Sequence, residues 1–314
     1  MDIGSNSIHL TLARIYHDGG AIAPRVEIMA TLKDAARLAA FLGPDGNLSE
    51  AGIERAIETL RRYRRVADEH QAEVRAAATA ALRAARNSDE VLRRVAASCG
   101  VQIQVISGAD EARLVYEGVL HGLPEVRPER VLCVDVGGGS TELLLGENGA
   151  TKLVASVPIG AVVITQELLA QDPLRPRSVA EMRRRLMNRL APHRAPIDAL
   201  KFDRAIGTGG SIQRAVRVAR ARRTGDMRGD VNGHRLAVTD LRQVLDALVH
   251  AGSRANRLRI PGIDPERADT LLGGALIFDA ISQVLGIEQW TVSTAALRLG
   301  LLMDTWKRRA SNGA

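Results

Sequence analysis

One short pattern occurs twice in this chain at domain-sized spacing, and that repeat limits the folds open to it. Asp2-Ile3-Gly4-Ser5-Asn6-Ser7-Ile8-His9-Leu10-Thr11-Leu12 is echoed 133 residues later by Asp135-Val136-Gly137-Gly138-Gly139-Ser140-Thr141-Glu142-Leu143-Leu144-Leu145. Each copy reads acid, aliphatic, glycine, small residues, serine, then alternating apolar positions. Alternation marks a half-buried strand, so each copy is a tight turn feeding a strand. A turn built of Gly4, Ser5, Asn6 and Ser7, or of Gly137, Gly138, Gly139 and Ser140, lets successive backbone N–H groups converge on an anion, because no bulky side chain blocks the approach. An Asp beside such a turn is a ligand for a hard cation that bridges phosphate oxygens. Two copies predict two related lobes closing on one phosphate chain.

The order of elements supports an α/β fold with that duplication. Alternation predicts strands at 8–14 and 26–32, and helical periodicity runs from 33 to 69 with a break at Gly43-Pro44-Asp45-Gly46-Asn47. A short buried strand at 73–78, a helix from Asn87 to Gly100 and a strand at 101–106 follow, and Ser107 caps a helix reaching Gly122. Beyond a polar, proline-containing junction at 124–130, strands are predicted at 130–135, 141–146, 152–157, 203–206 and 288–292. Helices are predicted at 160–170, 178–191, 211–223, 238–252 and 265–285. The two lobes are expected at 1–123 and 124–294, with a C-terminal helix at 295–314 returning to the first. Val131-Leu132-Cys133-Val134 leads into Asp135 as a buried strand, whereas only Met1 precedes Asp2. The first lobe is therefore expected to lack its first strand, through a truncated start, and to be weakened by the lost ladder partner.

Composition excludes several classes of function. A 314-residue chain that is 46% hydrophobic builds real cores, and it is far from the signature of disorder. Aromatic content of 3% argues against single-stranded nucleic-acid binding, which leans on stacking platforms. The formal net charge is +7, and only four of the 43 basic residues are Lys. Codon bias accounts for that preference, and an Arg-rich surface also suits a phosphate polyanion. Cys99 and Cys133 show no metal or redox spacing, which fits a reducing cytosol. With no leader and no apolar run near the ~18 residues of a membrane span, the expectation is a cytoplasmic protein with neither membrane nor nucleic acid as partner.

Further segments carry possible chemistry. Gly207-Thr208-Gly209-Gly210-Ser211 joins a strand to an Arg-rich helix, so Gly209, Gly210 and Ser211 either aim helix N-terminal amides at an anion or form a plain capped turn. Ser107 and Asp110 have capping-box spacing, and Glu111 by spacing alone is a first-turn acid favoured by the helix dipole. Arg83 is either a phosphate fork or an exposed helix residue. Arg214, Arg217, Arg220 and Arg223 recur every three residues, as a solvated helix face or as a guide for a long anion.

Taken together these segments resemble the exopolyphosphatase and guanosine pentaphosphate phosphohydrolase family of the actin-like ATPase superfamily, over almost the whole chain. Asp2 to Leu10 resembles the family's first phosphate loop, 77–87 its Thr/Arg segment, 107–118 with Glu111-Ala112-Arg113 its catalytic helix, and 134–143 its second loop. Segments 157–160 and 267–279 resemble later family stretches. The resemblance implies an actin-like, ribonuclease H-like fold of two lobes around a cleft, and Mg²⁺ or Mn²⁺ as cofactor. It implies Glu111 as general base, Asp2, Asp135 and Glu142 as metal-binding or catalytic acids, Arg83 as a phosphate contact, and the glycine loops as phosphate cradles. It further implies hydrolysis of the terminal phosphoanhydride of inorganic polyphosphate, with guanosine pentaphosphate as the alternative substrate and a homodimer by analogy. An actin-like small-molecule kinase and a non-catalytic polyphosphate or guanosine tetraphosphate sensor are the readings of other classes. Two departures stand out. Leu299 occupies a place where many relatives carry Glu, and the chain lacks the length for the extra C-terminal domains that help long members grip polymer.

Overall fold

The computed structural model describes residues 1–16, 24–169, 174–226, 229–264 and 268–312. Its first part runs β1 (Asp2–Ile3), β2 (Ile8–Tyr16), β3 (Arg25–Asp34), α1 (Glu50–Glu69), β4 (Ala76–Ala78), α2 (Ala80–Ala84), α3 (Ser88–Cys99), β5 (Ile103–Val105) and α4 (Gly108–Gly122). The strands form one sheet in the order β3-β2-β1-β4-β5. β2 pairs antiparallel with both β1 and β3, while β4 and β5 run parallel to β1. Along β2 buried and half-exposed residues alternate, as a strand with one core face requires. α1 turns Ile53, Ile57, Leu60 and Tyr63 toward the same core. The helical reading of Lys33 and Asp34 is corrected: both lie in β3, where Asp34 pairs with Ile8 and Lys33 with His9. Ladder pairing with β2 overrides a local helical period, and the helix begins only at Glu50.

The second part runs β6 (Arg130–Val136), β7 (Thr141–Glu147), β8 (Ala150–Val157), α5 (Ala161–Leu169), α6 (Pro176–Leu190), α7 (Arg194–Leu200), β9 (Arg204–Thr208), α8 (Gly210–Thr224), β10 (Arg235–Ala237), α9 (Val238–His250), α10 (Arg254–Arg257), α11 (Ala268–Leu285), β11 (Gln289–Val292) and α12 (Leu297–Asn312). Its sheet is ordered β10-β11-β9-β6-β7-β8. Leaving aside β10, this is the order and sense of the first sheet: an antiparallel β8-β7-β6 meander continued by parallel β9 and β11. A topology repeated in this way is the actin-like fold. At the place of the strand expected to be truncated, the first sheet has β1, held by Asp2↔His9 and Ile3↔Ile8 on one side and by Asp2↔Ala77 and Ile3↔Ala78 on the other. This strand spans two residues where its counterpart β6 spans seven. β10 and α7 had no sequence signal. β10 is three residues long and exists only through its pairing with β11.

α4 lies against the second sheet, which places the end of the first part over the second. Ala112, Val115, Tyr116, Val119 and Leu120 share one buried cluster with Val131 and Cys133 of β6 and Leu144 of β7. That explains why β7 is buried on both faces. α12 packs in turn on α4, with Leu297 and Leu301 in the same cluster. Close approach here depends on glycine: a Cβ on Gly118 would overlap the Ala296 carbonyl, and one on Gly300 the Leu114 carbonyl. Among the described residues no helix is long and apolar enough to cross a membrane. Gly300→Val is expected to destabilise the protein by about 1–3 kcal/mol through overpacking. Thermal unfolding measures this, and a wild-type melting temperature would contradict the packing described.

Candidate functional site

The twin hairpins have the same construction. Gly4 N–H donates to Ser7 O at 3.0 Å, and Gly137 N–H donates to Ser140 O at 3.0 Å. Behind the first, Ser5 O and Asn6 O accept from Ala39 N–H (2.9 Å) and Arg37 N–H (3.0 Å). Behind the second, Gly137 O and Gly138 O accept from Ala161 N–H (2.9 Å) and Val162 N–H (3.0 Å). In a trans peptide the C=O and N–H point opposite ways. With the carbonyls tied to the segments behind, the N–H groups of the same peptides are turned away from those segments. The two turns also meet: a Cβ on Gly138 would lie 3.2 Å from Ser5 Cβ, and one on Gly139 would lie 2.8 Å from Ser5 Oγ. Bare backbone is what allows this approach.

Gly4 to Ser7, Gly137 to Ser140 and Gly209 to Ser211 all line one cavity of about 420 Å³. The third loop joins β9 to α8, with Gly209 at φ 91° and Ser211 buried. A side chain at Gly209 would meet Val136 O at 2.7 Å and would be strained at that φ. Every sequence-derived phosphate-loop residue therefore faces the same space.

Three acids gather beside the second hairpin. Carboxylate oxygens of Glu111, Asp135 and Glu142 lie within 4.8 Å of one another. Asp135 and Glu142 are cross-strand partners on β6 and β7. Glu111 arrives from the first turn of α4, whose cap is closed as expected, with Asp110 N–H donating to Ser107 Oγ at 3.1 Å. Gly108 lets this helix end sit close, since a Cβ there would overlap Ser156. Ser156 Oγ donates to Glu142 Oε1 at 2.8 Å, and Thr208 Oγ1 donates to Asp135 Oδ1 at 2.6 Å.

Arg83, at the last turn of α2, reaches into this group. Its Nη1 donates to Glu111 Oε2 at 2.9 Å and to Ile106 O at 3.0 Å. Its Nη2 donates to Ser140 Oγ at 3.3 Å and lies 3.7 Å from Glu142 Oε1. Burial raises the carboxyls of Glu111 and Glu142 above the ordinary range; Glu142 pushes Glu111 further up, Asp135 pushes Glu142 up, and Arg83 opposes both shifts. Burial likewise raises Asp135, against the Thr208 hydrogen bond.

Asp2 holds the position in the first sheet that Asp135 holds in the second and lines the same cavity, but it stands outside the three-acid group. Its carboxyl is raised to about 6, chiefly by burial, with Arg298 opposing the shift. A hard divalent cation fits these residues: the donors are carboxylate oxygens, and Glu142 Oε2 is buried with no hydrogen-bond partner. An oxygen in that state is costly unless a cation or proton completes it.

Several lining residues escaped the sequence reading, among them Lys33, His9 and Arg298, whereas Thr79 belongs to the Thr/Arg segment already singled out. His9 stands at the repeat position of Glu142, so the two copies differ there in charge chemistry. Thr208 was within reach, since it lies inside a loop already singled out. Ser156 had no local signal and is identified only by strand pairing with Glu142.

Residues 16–309 match the Ppx/GppA phosphatase family. The chain is 32% identical over 305 residues to exopolyphosphatase 1 of Mycobacterium tuberculosis, covering 96% of this chain and 86% of that protein. The crystal structure of the Aquifex aeolicus Ppx/GppA family member superposes with a TM-score of 0.80 and 29% identity, over 98% of this chain and 96% of that one. An exopolyphosphatase structure from Cytophaga hutchinsonii gives a TM-score of 0.86 and 25% identity, over 98% of this chain and 96% of that one. With the repeat, the topology and the matched residues in accord, the chain belongs to the Ppx/GppA phosphatase family.

Proposed function

We propose that the chain is a cytoplasmic phosphoanhydride hydrolase that removes the terminal phosphate of inorganic polyphosphate as orthophosphate. The observation that carries this reading is the juxtaposition of twin glycine hairpins, in one cavity, with Glu111 and Asp135 of a three-carboxylate group whose third member, Glu142, is buried behind them. Relatives named exopolyphosphatase support the choice of substrate. So does a lining of backbone, hydroxyl and basic groups such as Lys33, Arg214 and Arg217.

In this reading the outward-turned hairpin amides of Asn6, Ser7, Gly138 and Gly139 cradle the terminal phosphate and fix it for in-line attack. Glu111 accepts the proton of the attacking water while the bridging phosphoanhydride bond breaks and the shortened chain leaves with the electron pair. Desolvation makes the Glu111 carboxylate a stronger base than an exposed one. Arg83 orients it through the 2.9 Å ion pair and lies beside Ser140, where phosphate charge would accumulate. Asp135 and Glu142, with Asp2 from the first sheet, would hold Mg²⁺ or Mn²⁺, which when bound supplies neutralisation of phosphate charge.

Glu111→Gln is expected to lower kcat by about 10²–10⁴-fold while leaving polyphosphate affinity within a few-fold. Phosphate release and equilibrium binding separate the two effects, and lost binding with unchanged turnover would remove the general-base role. Phosphate release from polyphosphate is expected to exceed that from guanosine pentaphosphate; the reverse would reassign the site to the nucleotide.

The raised carboxyls also set a pH dependence. The folded, cation-free protein holds protons that the unfolded chain releases above the ordinary carboxylate range, so these groups destabilise the fold as pH rises from about 5 through neutrality. A bound cation displaces those protons. Mg²⁺ is therefore expected to raise the melting temperature more at pH 8 than at pH 5, by scanning calorimetry. A shift that is flat, or larger in acid, would contradict the acid cluster as the cation site.

A further inference from the structure

The arginine stripe of α8 is divided by the fold. Arg220 turns to Asp230 O at 3.2 Å and His234 Nδ1 at 3.0 Å, and Arg223 is exposed outside the cavity. Arg214 and Arg217 instead line the cleft, one and two turns beyond Ser211. Arg214 is only 8% exposed, and its Nε has no hydrogen-bond partner. A buried guanidinium donor left empty is costly, and an anion is the ligand that completes it. Asp264, also on the cavity wall, offsets part of this charge, while neighbouring Arg217 adds to it. Among the described residues on this stretch of the wall, two guanidiniums face one carboxylate and leave it positive. At about 1.5 Å rise per residue, Arg217 lies about 9 Å further along α8 than Ser211, so the pair carries the cavity lining beyond the third glycine loop.

We propose that Arg214 and Arg217 form a second anion subsite, which holds non-reacting phosphates of a condensed phosphate chain whose end lies at the hairpins. This rests on the hydrolysis proposed above and adds to it a wall that reads substrate length.

The test compares R217Q and R214Q with wild type on tripolyphosphate and on long polyphosphate, with R223Q as a control outside the cleft. For each cleft variant, KM for long polyphosphate is expected to rise about tenfold, the loss of one charge-assisted phosphate contact. The effect on kcat should be small, and the rise for tripolyphosphate distinctly smaller. The dissociation constant for long polyphosphate, measured without divalent cation, should rise in parallel, and R223Q should match wild type. Equal KM changes on short and long substrates, or cleft variants that behave as wild type, would overturn the subsite. Should R214Q fail to fold, exposed Arg217 carries the test alone. If wild type turns over neither substrate, the proposed hydrolysis fails by itself. The binding measurement then still decides the subsite: weakened affinity in R217Q supports it, and unchanged affinity refutes it.

Discussion

Three carboxylates, two of them buried and Asp135 half-buried, held within 4.8 Å of one another repel, and the arrangement of this cleft is organised by what offsets that repulsion. Arg83 is the fixed part of the answer, bonded to Glu111 and close to Glu142. Protons are the variable part, and a divalent cation can replace them. Such a site stores a demand for positive charge close to amides that demand negative charge. A metal-bound phosphate satisfies both at once, which is why the geometry points to phosphate chemistry before any relative is considered.

The fold meets that demand by duplication with one exchange. Each sheet presents an Asp at the end of its central strand and a glycine hairpin just beyond it, and the hairpins touch because Gly138 and Gly139 carry no side chains. Where the first copy has His9 the second has Glu142, so the acids concentrate on one side. α4 then crosses to the second sheet, and Gly108 allows its first turn to bring Glu111 against β8 and β7. The general-base candidate is thus delivered by a helix that the first part supplies and the second part buries.

Much of this was legible in the chain itself. The repeated hairpins, the Ser107 cap and the strand leading to Asp135 are local signals, and each appears where sequence placed it. What escaped depends on partners distant in sequence. Lys33 and Asp34 carry helical periodicity, yet β2 recruits them into a ladder. Glu111 and Asp110 look alike as first-turn acids, and only tertiary packing buries the former while Asp110 remains exposed. The arginine stripe has one period in sequence but two fates, because α8 turns one part of its surface to the cleft and another to solvent.

The account stands or falls on whether the hairpins and the acids form one ligand site. A crystal structure with Mn²⁺ and orthophosphate, using the anomalous signal of the metal, measures this most directly. The cation is expected on Asp135 and Glu142, with the anion held by amides from both hairpins. A cation bound elsewhere, or an anion resting on one hairpin alone, would contradict it.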